Sequence, residues 1–359
     1  MNITFNYLSS RGKDFFLKVK GKSSIFLCTI AHTETCEIPG ISAAGANTDL
    51  IKFTAAADVE AIYYGKAKCL AAVPENPLGP PSPVIISIAA LNILNIPYFP
   101  INAGLKVKPV TPLIEINDNF GKSLEKGKAL IEFDFENIFE KVKALAEHIS
   151  KSFEFVILGE SVPGGTTTAL ALIEAFGYNG FNKICGSMPG NNHDLKINVV
   201  KKALKYISNN DEPFEIVKKI ADPMQPIQAI LSIELAKRGV LVLLAGGTQM
   251  VAVATLIKHI NSDNSIYENL AISTTKWVTF DKDSDIIGLM ENIDLKIPLI
   301  TSMLNFETSK YENLRLYEKG YVKEGVGAGG LSAVLFNEKG ISNSEFLEEI
   351  ERVYKNIYG

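Results

Sequence analysis

Between residues 24 and 305, apolar runs of strand length alternate with segments whose apolar residues recur every three to four positions. This alternation constrains the chain more than any other feature. Strand, helix and returning strand close as a βαβ unit, and a succession of such units gives a largely parallel sheet. The pattern predicts strands at 24–30, 59–64, 97–101, 153–158, 240–245, 273–280 and 298–302. It predicts helices at about 48–57, 83–94, 136–150, 166–176, 195–207, 213–220, 226–237 and 249–259. Past residue 305 the pattern is mainly helical and ends in an amphipathic segment, Asn343 to Tyr358. The expected organisation is an α/β core at 24–305, with 1–23 and 306–359 forming a small helical lobe packed on it.

Two stretches lack charge altogether, one between Arg238 and Lys258 and one between Glu75 and Lys106. Each reaches the roughly 20-residue length of a membrane span. The first carries Gly246-Gly247-Thr248-Gln249 at its middle, and the second is interrupted by prolines that cluster at 74–83 and recur at Pro97 and Pro100. Both read as buried α/β elements, so no membrane partner is expected. The N-terminus shows no charged region followed by an apolar one, which makes the cytoplasm the expected location.

Across 359 residues, 36 basic side chains against 40 acidic ones leave a net charge of −4 with no basic block. Nucleic acid is therefore not an expected partner, since it needs a concentrated basic face. Four cysteines are too few for a disulfide framework in a chain of this length. Cys28, His32 and Cys36 stand four apart, the spacing of ligands on one helical face, but the β-rich run Ser24–Ile30 would spread them, and no metal site is expected.

The sharpest local signal follows the strand Phe153–Leu158. It reads Gly159-Glu160-Ser161-Val162-Pro163-Gly164-Gly165-Thr166-Thr167-Thr168 and leads into an apolar helix. A glycine-rich turn between strand and helix bares backbone N–H groups at the positive end of the helix dipole, a ready site for phosphate. The spacing nearly reproduces the nucleoside-triphosphate loop, with Gly165 where a lysine would reach the β- and γ-phosphates, which suits a single phosphate better. The plainer reading is a tight turn capped by Thr166. Gly246-Gly247 is a second strand-to-helix turn of the same kind, and Cys185–Asn192 is polar enough to be a binding loop. Such turns gather around one crevice beyond the carboxyl ends of parallel strands. Asp222-Pro223 reads most simply as a helix stop followed by a helix start.

Late in the chain, Glu324 stands before Gly325-Val326-Gly327-Ala328-Gly329-Gly330. Small residues after a carboxylate allow close approach of a flat ligand, and apolar neighbours raise its pKa into the range of a general base. The alternative is an exposed glutamate before a glycine-rich helix start.

Taken in order, Gly159-Glu160, Gly164-Gly165-Thr166-Thr167, Asp222-Pro223, Gly246-Gly247 and Glu324-Gly325-Val326-Gly327-Ala328 resemble the motifs of nicotinate-nucleotide–dimethylbenzimidazole phosphoribosyltransferases. Pro39 to Gly45 is similar to a segment of the divergent archaeal branch of that family. The resemblance covers about 150–340. It implies a three-layer α/β/α fold with a doubly wound, mainly parallel sheet, a small terminal helical lobe, a homodimer and a role in assembling the lower ligand of cobamides. It further implies nicotinate mononucleotide as donor, a benzimidazole or purine base as acceptor, and no cofactor. Carried onto this chain, Glu324 is the catalytic base; Gly164, Gly165, Thr166 and Thr167 hold the phosphate, with Glu160, Gly246 and Gly247 beside the nucleotide. The chain departs from the family loop at Val162, Pro163 and Gly165, where the family has glycine, isoleucine and asparagine, and Lys323 replaces the glycine before the acid. These departures bear on the substrates, and they motivate the alternative of a non-catalytic nucleotide-binding or regulatory protein.

Overall fold

The structure is a computed structural model that describes residues 2–42, 49–70 and 79–359. Residues 43–45 of the Pro39–Gly45 segment, the start of the 48–57 helix and residues 74–78 of the proline cluster lie outside the described residues. Eight strands, β1 (Ile3–Tyr7), β2 (Ser24–Ala31), β3 (Tyr98–Gly104), β4 (Ile114–Glu115), β5 (Phe155–Ser161), β6 (Leu241–Ala245), β7 (Leu270–Thr275) and β8 (Leu299–Ser302), form one sheet. Their order is β1-β8-β7-β6-β5-β2-β3-β4. All neighbours are parallel except the outer pair, where β1 runs antiparallel to β8. The chain moves from β2 outward to β3, then returns to the other flank of β2 with β5, so the winding reverses between β2 and β5. At such a switch point the carboxyl ends of the strands open a crevice.

Helices cover both faces. α1 (Ser9–Val19), α2 (Thr54–Tyr64) and α3 (Val84–Leu94) lie on one. The other carries α4 (Phe135–Ser150), α5 (Gly165–Ala175), α6 (His193–Leu204), α7 (Pro213–Ile220), α8 (Met224–Lys237) and α9 (Thr248–Ile260). Short α10 (Lys276–Thr279) follows β7, and α11 (Ile286–Ile293) joins the second layer. α12 (Glu312–Arg315), α13 (Ala328–Lys339) and α14 (Asn343–Tyr358) complete the first. Strand alternation divides the core: Val156 and Leu158 of β5 pack with α5 and α8, while Phe155 and Ile157 pack with α1 and α13. Because both faces are covered, the central strands are apolar throughout, and each fully buried Leu or Ile contributes about 1.5–3 kcal/mol.

Several boundaries differ from the expectation. Residues 59–64 belong to α2, whose buried face runs from Ala55 to Ala61 and which Gly65 closes in the left-handed region, its N–H donating to Ala61 O. A short apolar run does not by its period distinguish a buried helix from a strand. The expected strand at 273–280 is shifted: β7 ends at Thr275 and the chain turns into α10. β1 was not anticipated, and it carries the N-terminal segment into the sheet through pairs such as Ile3 with Ser302. α13 lies directly on the sheet, with Gly330 close enough to Ala245 that a β-carbon would come within 2.3 Å of that side chain. The terminal segments therefore share the sheet's own core.

The uncharged stretch between Arg238 and Lys258 is β6, the Gly246-Gly247 turn and α9, almost wholly buried. Among the described residues no helix is long and apolar enough to cross a membrane.

Candidate active site

A cleft with about 930 Å³ of space, the open solvent at its mouth included, lies at the carboxyl ends of β2 and β5. Its floor begins with β5, which delivers Glu160 and Ser161 at its last two positions. Gly164 follows with φ of 78°, and a β-carbon there would lie 2.9 Å from Cys36 Cβ. Glycine is thus required twice over, by backbone conformation and by space. Gly164, Gly165 and Thr166 line the cavity at the start of α5.

Glu324 arrives from the opposite direction on a loop held in an uncommon backbone conformation. Val322, Lys323 and Val326 have φ of 64°, 65° and 54°. Non-glycine residues there carry strain, persist only where surrounding contacts over-determine them, and cluster at functional sites. The contacts here are specific. Val322 N donates to Ser187 O, Val326 N to Glu160 O, and Thr275 Oγ1 to Lys323 O. The Lys323 ammonium, 2% exposed, pairs with Asp281 at 3.0 Å and donates to Asn191 Oδ1 at 2.8 Å. Gly159 and Gly327 let this loop cross β5, since a β-carbon on Gly159 would sit 3.1 Å from Gly327 Cα.

The Glu324 carboxylate accepts from Thr274 Oγ1 and Thr275 N through Oε2, and from Gly325 N and Gly329 N through Oε1, at 3.0–3.1 Å. Burial raises its pKa even so. Glu160 has fewer donors: Val162 N at 2.9 Å and the Gln249 amide. Burial, with the charges of Asp222 and Glu324 adding to it, pushes Glu160 up to about 8. The two neighbouring carboxyl groups differ in their surroundings: four donors favour the charged form of Glu324 against its burial, while Glu160, with two, is held as the acid at neutral pH.

Asp222 does more than mark a helix boundary. Buried behind α5, it accepts from Thr168 Oγ1 at 2.5 Å and from Met224 N and Gln225 N, tying α5 to the start of α8, and burial pushes it up to about 6.

The structure therefore brings Glu160, Gly164, Gly165, Thr166 and Glu324 to one cavity. Gly247 lines a smaller annex shared with Glu160, Thr166 and Glu324. Gly246, packed on Met250, and Thr167 line neither space; the Thr167 hydroxyl is buried without a partner among the described residues. Residues with no motif signal also reach the cavity: Lys196 from α6, Gln249 from α9, and Thr54 and Asp58 from α2. Lys196 Nζ donates to Asn191 O at 2.6 Å, and burial brings it down to about 8. Its only sequence signal was proximity to the polar 185–192 loop, and Asp58 stood out only as an acid within an apolar run.

Cys28, His32 and Cys36 do not converge. His32 Nε2 pairs with Glu37 at 2.8 Å, Cys36 Sγ lies 4.0 Å from His32 Nδ1, and Cys28 is buried in the core on β2. Among the described residues no three metal-binding side chains gather.

Residues 96–267 match the family model described as Phosphoribosyltransferase. The chain is 40% identical to the UPF0284 protein of Sulfurisphaera tokodaii over 337 residues, 93% of this chain and 94% of that one. It is 40% identical to the Sulfolobus acidocaldarius UPF0284 protein over 96% of this chain and 99% of the other, and 39% identical to that of Archaeoglobus fulgidus over 94% and 95%. The chain belongs to the UPF0284 family. Its fold is that of the nicotinate-nucleotide-dimethylbenzimidazole phosphoribosyltransferase from Thermus thermophilus, with a TM-score of 0.59 at 15% identity over 92% of this chain and 83% of that one. The CobT structure from Thermus thermophilus gives 0.60 at 16% identity over 92% of each chain.

Proposed function

We propose that the protein transfers ribose 5-phosphate from nicotinate mononucleotide to a benzimidazole-like base, giving an α-ribotide for cobamide lower-ligand assembly. The observation that carries this reading is that Glu324, Glu160 and the Gly164-Gly165-Thr166 turn line one cavity. The 5′-phosphate sits against the first N–H groups of α5, with Lys196 as counter-charge. One imidazole nitrogen of the base attacks C1′. The C1′–pyridinium bond breaks, its electron pair neutralises the nicotinate ring, and the proton on the second imidazole nitrogen passes to Glu324. Glu160, as a hydrogen-bond donor, holds a ribose hydroxyl or the departing nicotinate. The family resemblance adds a cytoplasmic homodimer, which light scattering on the purified protein tests for its oligomeric state.

Incubation with nicotinate mononucleotide and a panel of benzimidazoles and purines should release nicotinate, and Glu324→Gln should slow release at least about 100-fold, the usual size for loss of a general base. No release with any base, or full activity in the variant, sinks this reading. Nucleotide binding by calorimetry without release supports the non-catalytic alternative, which the altered loop around Gly165 motivates.

A further inference from the structure

The polar loop 185–192 closes on one side chain. Asn191 is fully buried and holds a φ of 57°, a left-handed conformation that favours asparagine and glycine. Its carboxamide uses both lone pairs and both N–H groups, which fixes which way round it sits. Oδ1 accepts from Gly186 N and from Lys323 Nζ, both at 2.8 Å, and Nδ2 donates to Asp281 Oδ2 at 2.7 Å and to Asp283 O at 3.1 Å. The backbone of the same residue is equally committed. Its N–H donates to Met188 O at 3.1 Å, and its carbonyl accepts from Lys196 Nζ at 2.6 Å.

These contacts reach both sides of the site. Lys196 lines the cavity that receives the Gly164-Gly165-Thr166 turn, and Lys323 immediately precedes Glu324. Gly186 and Met188, the two loop residues that Asn191 holds, flank Ser187, whose carbonyl accepts from Val322 N at 2.9 Å. Val322 and Lys323 have positive φ, a conformation that persists only where surrounding contacts over-determine it. Asn191 supplies one of those contacts directly and orders another. It lines neither the cavity nor its annex, so it acts through the residues it holds.

Resting on the transfer reaction proposed above, we propose that Asn191 is a positioning residue that fixes the Glu324 loop relative to Lys196, so that the proton acceptor and the 5′-phosphate are held at one separation. The work is divided within the residue. The carbonyl serves the phosphate side through Lys196, and the carboxamide serves the base side through Lys323 and the 186–188 turn. Removing the carboxamide alone should therefore disturb base binding and chemistry while leaving nucleotide binding in place.

Asn191→Gly does this, since glycine accepts the positive φ and keeps the carbonyl. By calorimetry, affinity for nicotinate mononucleotide should stay within about threefold of wild type, and affinity for benzimidazole should fall about tenfold, the size of one lost hydrogen bond. The kcat for nicotinate release should fall at least about tenfold, because small misplacements of a reacting group are felt on that scale. Asn191→Asp sets a second carboxylate against Asp281 and should lose as much. Adding Asp281→Asn exchanges carboxamide and carboxylate, restores a donor between them and one negative charge beside Lys323, and should recover both values to within about threefold. A merely structural residue would lower both affinities together. Equal losses for nucleotide and base, an unchanged kcat in Asn191→Gly, or no recovery in the exchanged pair overturns the assignment. Should Asn191→Gly not fold, Asn191→Asp alone and with Asp281→Asn decides it. Affinities that separate as stated in a protein that releases no nicotinate support the Asn191 assignment and overturn the transfer reaction; release by wild type with kcat untouched in Asn191→Gly does the reverse.

Discussion

The Oε1 atom of Gln249 lies 2.0 Å from the point where a β-carbon on Gly165 would sit. A side chain from the start of α9, 84 positions further on, fills the space and reaches Glu160.

Gly165→Ala should therefore displace the Gln249 amide without unfolding the protein, because the clashing atom ends a flexible side chain. Nucleotide affinity measured by calorimetry should fall about tenfold, and Gly165→Ala with Gln249→Ala should recover most of it, as coupled neighbours do. Additive losses in the double variant would show that Gln249 does not serve this turn.

Glu160 links the site to stability. Burial raises its folded value to about 8 from an ordinary 4.5, so the native state holds a proton that the unfolded chain releases between these limits. The stabilisation is complete below about 4.5 and is lost as pH rises through about 8. Asp58 and Asp222, each raised to about 6, act in the same direction at lower pH. Glu160→Gln should raise stability at pH 8 by about 3 kcal/mol and flatten the decline between pH 6 and 8, as read by urea denaturation. A variant as steep as wild type in that window would contradict a protonated Glu160.

Lys323 acts as a strut between the Glu324 loop and the side chains of Asp281 and Asn191. Burial opposes ionisation of Asp281, but the Asn191 amide and the Lys323 charge outweigh it and hold its carboxyl below the usual range. Lys323→Met leaves the half-buried Asp281 carboxylate without its cation and should cost about 1–3 kcal/mol in denaturant titration. Adding Asp281→Asn should restore part of that loss.

Gly159→Ala tests the crossing of the two site loops. Its β-carbon would lie 2.8 Å from the Phe26 ring and 3.1 Å from Gly327 Cα. Overpacking of this kind costs about 1–3 kcal/mol, and the displaced Glu324 loop should lower nicotinate release further than the stability loss explains. A variant with wild-type stability and rate would show that the two backbones have room to spare.

Much of the architecture was written locally. The strands from β2 to β8 that lie inside the sheet, the glycine turn before α5 and most of the long helices follow from side-chain period, turn residues and helix stops, all of which act within a few positions. α2 escaped because its residues from Ala55 to Ala61 are all buried, which leaves no alternation of polar and apolar faces to reveal its period. β1 escaped because it is a short edge strand whose partner, β8, lies almost 300 residues away.

The site divides along the same line. Glu160, Gly164, Gly165, Thr166 and Glu324 were legible because each stands in a motif whose backbone conformation dictates its residues. Thr167 and Gly246 stood in the same motifs, yet they turn away from the cavity. Asp58 meets Ser161 across 103 positions, and Lys196, Gln249 and Lys323 act through partners that only the packed helices supply. The sequence by itself determined where the chain turns and which strands carry the reactive ends, because those depend on neighbours in the chain. Which carboxyl is protonated, and which lysine is buried against which aspartate, was decided by the tertiary structure alone, because desolvation and charge coupling depend on distance in space.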